Sequence, residues 1–279
     1  MTTEQQPPQA PSARTITNHG LIHHNMQRYD EALADYNRAI DLDPGYALAF
    51  ASRGETYREL KRYDEALADC NRAIELNPGG AVAIATRGGT YQLMKRYDEA
   101  LTDLNRAIDL DPGSAWAITT RGMTYLKTQR YEEALADCNR AIELDPRNAW
   151  AITMRSQAYR LMHRYEEALT DCNRAIELDP GSAWAITQRG HAYLKTQRYD
   201  EALADYTRAI ELDPSDVVAI LSRGDTYWAM KRPFKARADY RRANKLDPDE
   251  VWAMYRARAD RRRASKLDPD RAHAFFPRS

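Results

Sequence analysis

The sequence predicts an all-α protein built as an array of helix pairs, and three observations predict it. A 34-residue unit recurs along the chain, and two copies, 115–148 and 183–216, differ at only eight positions. Each copy holds two stretches whose apolar residues fall three and four apart, the spacing of one helical face. A proline closes the units in register at Pro78, Pro146 and Pro214, and residues of the helix N-cap type follow at Ser114, Asn148, Ser182 and Asp216. A unit of this size cannot bury its apolar face alone, so copies must stack on one another.

Within the unit, Ile118, Gly122 and Tyr125 mark the packing stripe of the first helix. Tyr131, Ala134, Leu135, Cys138, Ala141, Ile142 and Leu144 mark that of the second. Glu132 and Glu133 open the second helix, where the positive end of its dipole favours carboxylates. The short connections make neighbouring helices antiparallel. Small residues at Gly122, Ala134 and Ala141 sit where the helices approach closely.

This pattern of small and bulky positions resembles the tetratricopeptide repeat. The family's positions match Gly122, Tyr125, Ala134, Ala141 and Pro146 in order, and recur at Gly54, Tyr57, Ala66, Ala73 and Pro78 and at Gly190, Tyr193, Ala202, Ala209 and Pro214. The resemblance implies a right-handed superhelical α-solenoid of helix-turn-helix repeats. Where the family usually has leucine, this chain has Arg53, Arg87, Arg121, Arg155, Arg189 and Arg223, each followed sixteen positions later by an aspartate, as in Arg121 and Asp137. Two readings stand: an ion-pair ladder across the helix seam, or arginine stems that carry their charge out to water. The carboxylates as a class recur in register and are expected at the surface, with Asp137 and Arg140, then Arg140 and Glu143, as i, i+3 pairs.

In chain order, residues 1–12 are Pro- and Gln-rich and read as a disordered tail. Residues 13–46 form a degenerate first repeat, with His19 and His23 where later repeats have Arg and Tyr. Regular repeats follow at 47–80, 81–114, 115–148, 149–182, 183–216 and 217–250. The last of these weakens at its second helix, where RPFKAR replaces RYDEAL. Residues 237–250 recur at 258–271, an offset of 21 instead of 34, so 251–267 reads as one basic capping helix and 268–279 as a tail.

Composition narrows the function. Lys plus Arg and Asp plus Glu each number 41, charged residues are 29% of the chain, and no apolar run is long enough to span a membrane. The N-terminus lacks the basic start and apolar core of a signal peptide, so a cytoplasmic location is expected. Cys70, Cys138 and Cys172 share a position that elsewhere holds Tyr36, Leu104, Tyr206 and Tyr240, which marks a packing site of buried thiols. No Ser-His-Asp set, phosphate-cradling loop or Cys-His metal cluster occurs, and His19, His23 and His24 have no carboxylate or cysteine beside them in sequence. The expectation is a non-catalytic protein with no metal and no cofactor.

What varies between repeats is one face of the first helix. It carries Trp116, Thr119, Met123 and Leu126, then Trp150, Thr153, Gln157 and Arg160, then Trp184, Thr187, His191 and Leu194. The resemblance implies that this face lines the concave groove in which such arrays hold peptides. The expected function is a scaffold that binds a peptide segment or helix of a protein partner there. Two alternatives remain. Residues 231–279 hold 15 Lys or Arg against 7 Asp or Glu, a basic end able to meet nucleic acid or an acidic partner, although no aromatic platform or base-reading motif accompanies it. The other is weak self-association of copies through the irregular end repeats.

Overall fold

The structure, a computed structural model, describes residues 11–249 and 251–252. Residues 1–10 of the tail expected at 1–12, and the body of the expected capping helix and C-terminal tail, lie outside the described residues, while Ser12 caps the first helix. Fourteen helices fall among them, and the secondary structure is all-α. First helices are α1 (Ala13–Asn25), α3 (Ala47–Glu59), α5 (Ala81–Leu93), α7 (Ala115–Lys127), α9 (Ala149–Leu161), α11 (Ala183–Lys195) and α13 (Val217–Ala229). Second helices are α2 (Tyr29–Leu42), α4 (Tyr63–Leu76), α6 (Tyr97–Leu110), α8 (Tyr131–Leu144), α10 (Tyr165–Leu178), α12 (Tyr199–Leu212) and α14 (Pro233–Leu246). The chain divides into two compact units, α1 to α8 and α9 to α14. Inside each unit a helix packs on its pair partner, each second helix packs on the next first helix, and successive first helices touch.

The helix starts follow from the chemistry read in the sequence. Ser114, Asn148, Ser182 and Asp216 each accept a hydrogen bond from the backbone N–H three residues on, as N-caps do. Second helices have no side-chain cap. An arginine stands at the cap position, and in α2 to α12 its guanidinium grips the glutamate of the first turn, as in Arg130 to Glu133 at 2.9 Å; α14, whose first turn has no carboxylate, lacks this contact. Between the two helices of every pair one residue adopts left-handed backbone: Gln27, Lys61, Lys95, Gln129, His163, Gln197 and Lys231, at φ of 57° to 62°. This conformation suits glycine and strains a residue with a Cβ. Gln129→Gly should therefore stabilise the array by up to about 1 kcal/mol, read as an upward shift of the chemical-denaturation midpoint.

The core is made of small residues meeting large ones. Gly190 lies under the ring of Tyr206, and a Cβ placed there would come within 2.8 Å of that ring; Gly88 stands in the same relation to Leu104, at 2.9 Å. In the fifth repeat the pair is Ser156 and Cys172, whose Sγ and Oγ lie 3.2 Å apart. The thiols Cys70, Cys138 and Cys172 are fully buried, and burial pushes Cys70 and Cys172 up to about 12, so both stay protonated and inert. Two pattern-based core assignments differ from the structure. Leu144 is 46% exposed at the last turn of α8, and Leu135 is half-buried while its equivalent Leu169 is buried.

The recurring arginines form the ladder. In all six regular repeats Nε and Nη2 of the arginine donate to the two oxygens of the aspartate sixteen residues on, at 2.6–2.8 Å. The aspartates are buried and the arginines nearly so, with side-chain exposures of 6–9% and 16–21%. Within each unit the remaining nitrogen, Nη1, reaches back to the preceding repeat. Arg53, Arg87, Arg121 and Arg189 donate to Asn37, Asn71, Asn105 and Asn173 at 2.6–2.9 Å. One guanidinium thus ties three helices together. Hydrogen bonding to the carboxylate raises the guanidinium pKa above its ordinary value, against the opposing pull of burial. The expected surface pairing of Asp137 with Arg140 is overturned: Asp137 is buried on Arg121, and Arg140 donates to the carbonyl of Pro112 in the previous repeat. The residue three positions away lay at helical spacing, yet the guanidinium across the seam offers two parallel bonds in place of one.

The first repeat closes differently. His19 stands at its ladder position, and Asp35, the ladder aspartate, meets His23 Nδ1 at 3.2 Å. The histidines therefore do have a carboxylate beside them in space, supplied by α2. Among the described residues no cluster of three or more His, Cys, Asp or Glu side chains is placed to hold a metal ion.

Candidate functional site

The variable face is set by helical geometry. At 3.6 residues per turn, three steps from Trp116 to Thr119 turn the side chain about 60° aside and ten steps to Leu126 about 80° to the same side, while seven steps to Met123 leave it within about 20°. Burial follows that arithmetic. Trp116 and Trp150 are each 37% exposed, Trp184 is half-buried, and Met123, Gln157 and His191 are half-buried.

Thr119, Thr153 and Thr187, at 1%, 1% and 2% exposed, and Leu126, at 7%, are turned into the repeat packing and do not line an exposed surface. Thr119 and Thr153 donate to the carbonyls of Ala115 and Ala149 one turn back, and Thr187 donates to an Asp216 carboxylate oxygen at 3.4 Å. Arg160 and Leu194 are half-buried at the same edge. His191 is held by a hydrogen bond between its Nε2 and Ser222 Oγ at 2.9 Å and by an edge contact with the Tyr206 ring at 5.6 Å.

The same register adds residues that the tryptophans alone did not suggest. In the first unit Leu48 and Val82, at 39% and 55% exposed, occupy the place of Trp116 in the two preceding repeats. In the second unit Val218 and Trp252 continue the row after Trp184, and Trp252 is 47% exposed. Aligning the first helices by the second position of each would have found them.

The three tryptophans are not equivalent. Trp116 lies over Gly89, where a Cβ would meet its ring at 2.8 Å, and beneath the guanidinium of Arg58, 5.2 Å from the ring centroid. Residues of three consecutive repeats thus hold that ring. Trp150 and Trp184 instead face each other with centroids 6.5 Å apart and planes tilted by 46°. Guanidinium-on-ring contacts recur elsewhere: Tyr57, Tyr125, Tyr159 and Tyr193 each lie between a ladder arginine and the arginine that begins the next helix.

Comparison with known proteins agrees with this geometry. Profiles described as tetratricopeptide repeat match residues 17–81, 81–114, 115–148, 138–170, 183–216 and 218–250. No curated protein matches the chain. Among solved structures it is similar to a tetratricopeptide repeat protein from Parabacteroides merdae, with 18% identity and TM-score 0.68 over 86% of this chain and 95% of that one. It is also similar to the Cut9–Hcn1 assembly of the APC/C, with 17% identity and TM-score 0.78 over 89% of this chain and 49% of that one. Pseudomonas aeruginosa pilF gives 17% identity and TM-score 0.62 over 76% and 97% of the two chains. These likenesses are of fold. No helix among the described residues is long and apolar enough to cross a membrane. With the profiles spanning most of its length and the helix pairs packed as the repeat demands, the chain belongs to the tetratricopeptide repeat family, whose members are in general non-enzymatic scaffolds for protein partners.

Proposed function

We propose that the protein is a non-catalytic scaffold that captures a peptide segment or helix of a protein partner on the first-helix face of the second unit, with Trp150 and Trp184 as anchors. The observation that carries this reading is the tryptophan pair itself: large rings in contact with each other, partly exposed, in register on consecutive repeats, and flanked by side chains that differ from repeat to repeat. Such amphipathic rings supply much of the binding energy of protein interfaces. Replacing Trp150 or Trp184 with Ala should weaken partner binding by about 1 to 4 kcal/mol while the helical signal and melting curve stay nearly unchanged. Calorimetry and thermal melts on the same samples read the two effects. A variant that melts the array before it loses the partner would show the rings to be packing residues.

Of the alternatives, stacking of copies end to end meets a physical obstacle. In repeat register it would set the imidazole of His19 of one copy against the guanidinium of Arg241 of the other, where the ladder elsewhere sets an arginine on an asparagine oxygen. Val251, just after the last repeat, is also buried, at 2% exposed. The basic-end reading rests mostly on residues outside those described. A steep fall of affinity with salt would mark binding to phosphates there.

A further inference from the structure

The chemistry of the partner is written in the way this chain treats its own aromatic rings. Every ring of the repeat tyrosine series from Tyr57 to Tyr227 has a cation over its face, and so does Trp116, whose guanidinium comes from Arg58 two repeats earlier. Among the described residues no cationic side chain lies over Trp150 or Trp184; they have each other. A second observation points the same way. The N-caps of the neighbouring first helices are the neutral Ser114, Asn148 and Ser182, but α13 uses Asp216, whose carboxylate reaches the hydroxyl of Thr187, one turn along α11 from Trp184. A carboxylate therefore caps α13, bonded to Thr187 of the helix that carries Trp184, at the place where the preceding repeats have a neutral oxygen.

We infer that the partner presents an arginine, whose guanidinium lies on the Trp150–Trp184 pair and pairs with Asp216. The Arg58–Trp116 stack is the stand-in within the chain for this contact. A planar guanidinium stacks on an aromatic face while its edge still donates to a carboxylate, which a lysine ammonium does less well. The inference rests on the reading of this face as the capture surface and adds the chemical class of what is captured.

The test selects a short random-peptide library on the full-length chain and then compares the best peptide with its Arg→citrulline form, which keeps shape and removes charge. The selected peptides should share an arginine, and citrulline should lower affinity about two- to thirty-fold, the range of an exposed to a desolvated cation–ring contact. Asp216→Asn keeps an N-cap of equal quality and should shrink that ratio; Asp216→Ser, the native cap at Ser182, serves if the first variant is unstable. The indole N–H resonances of Trp150 and Trp184 should move on binding, and Trp116 should not. Peptides that bind through Trp150 and Trp184 but tolerate citrulline would overturn the arginine and leave the capture surface standing. Selected peptides that ignore both tryptophans, or a library that yields none, would overturn both.

Discussion

Asp137→Ala should destabilise the array by about 3 kcal/mol, measured by chemical denaturation of the full chain, and should cost more than any surface substitution. The aspartate is buried and accepts two bonds from Arg121, so its removal leaves a guanidinium packed in the seam between three helices with only Asn105 to receive it. Losing one partner of a buried pair is costly because the other cannot recover its hydration. Arg121→Lys should also destabilise, since an ammonium cannot make the parallel pair of bonds to Asp137 and the third bond to Asn105 at once. Changing Arg121 and Asp137 together to leucine should recover much of the loss. If the single and double variants were equally unstable, the pair would be incidental to the packing. Hydrogen exchange should place the defect in the fourth repeat and its neighbours, because the stability of such an array is a sum of local and nearest-neighbour contributions.

The second large effect is expected at the meeting of glycine and tyrosine. Gly190→Ser forces a Cβ to within 2.8 Å of the Tyr206 ring, a side chain that is fully buried and has no room to turn. Overpacking of this kind costs about 1 to 3 kcal/mol. The fifth repeat shows the compensation, for there serine already faces cysteine as Ser156 and Cys172. Gly190→Ser combined with Tyr206→Cys should therefore be more stable than Gly190→Ser alone, and the melting temperatures of the two variants read this directly. A double variant no better than the single one would mean that repeats cannot exchange their packing pairs.

The sequence by itself determined the helices, their pairing, the caps at Ser114, Asn148, Ser182 and Asp216, and the burial of the three cysteines. Each of these depends on contacts within a unit or on a pattern repeated every 34 residues, and a periodic signal is carried in one dimension. Recurrence also pointed to Arg121 and Asp137 as partners, although it left open whether the arginine reached a carboxylate or water. Only the tertiary structure decided between them, because the seam joins α7 to α8 and to α6 and its burial depends on the distances between three helices. The same holds for the face of the first helix. Spacing placed Trp116, Thr119 and Leu126 on one side, but where the edge of that side is covered by the next repeat is a matter of packing, and packing buried Thr119 and Leu126 while leaving Trp116 partly open. It also separated three tryptophans that share the same local sequence, AWAIT. Trp116 is held by Arg58 and fits the notch at Gly89, residues 58 and 27 positions away, whereas Trp150 and Trp184 are left to each other. A distant side chain that happens to fill one ring's face has no periodicity, so it could be read only once the helices were stacked.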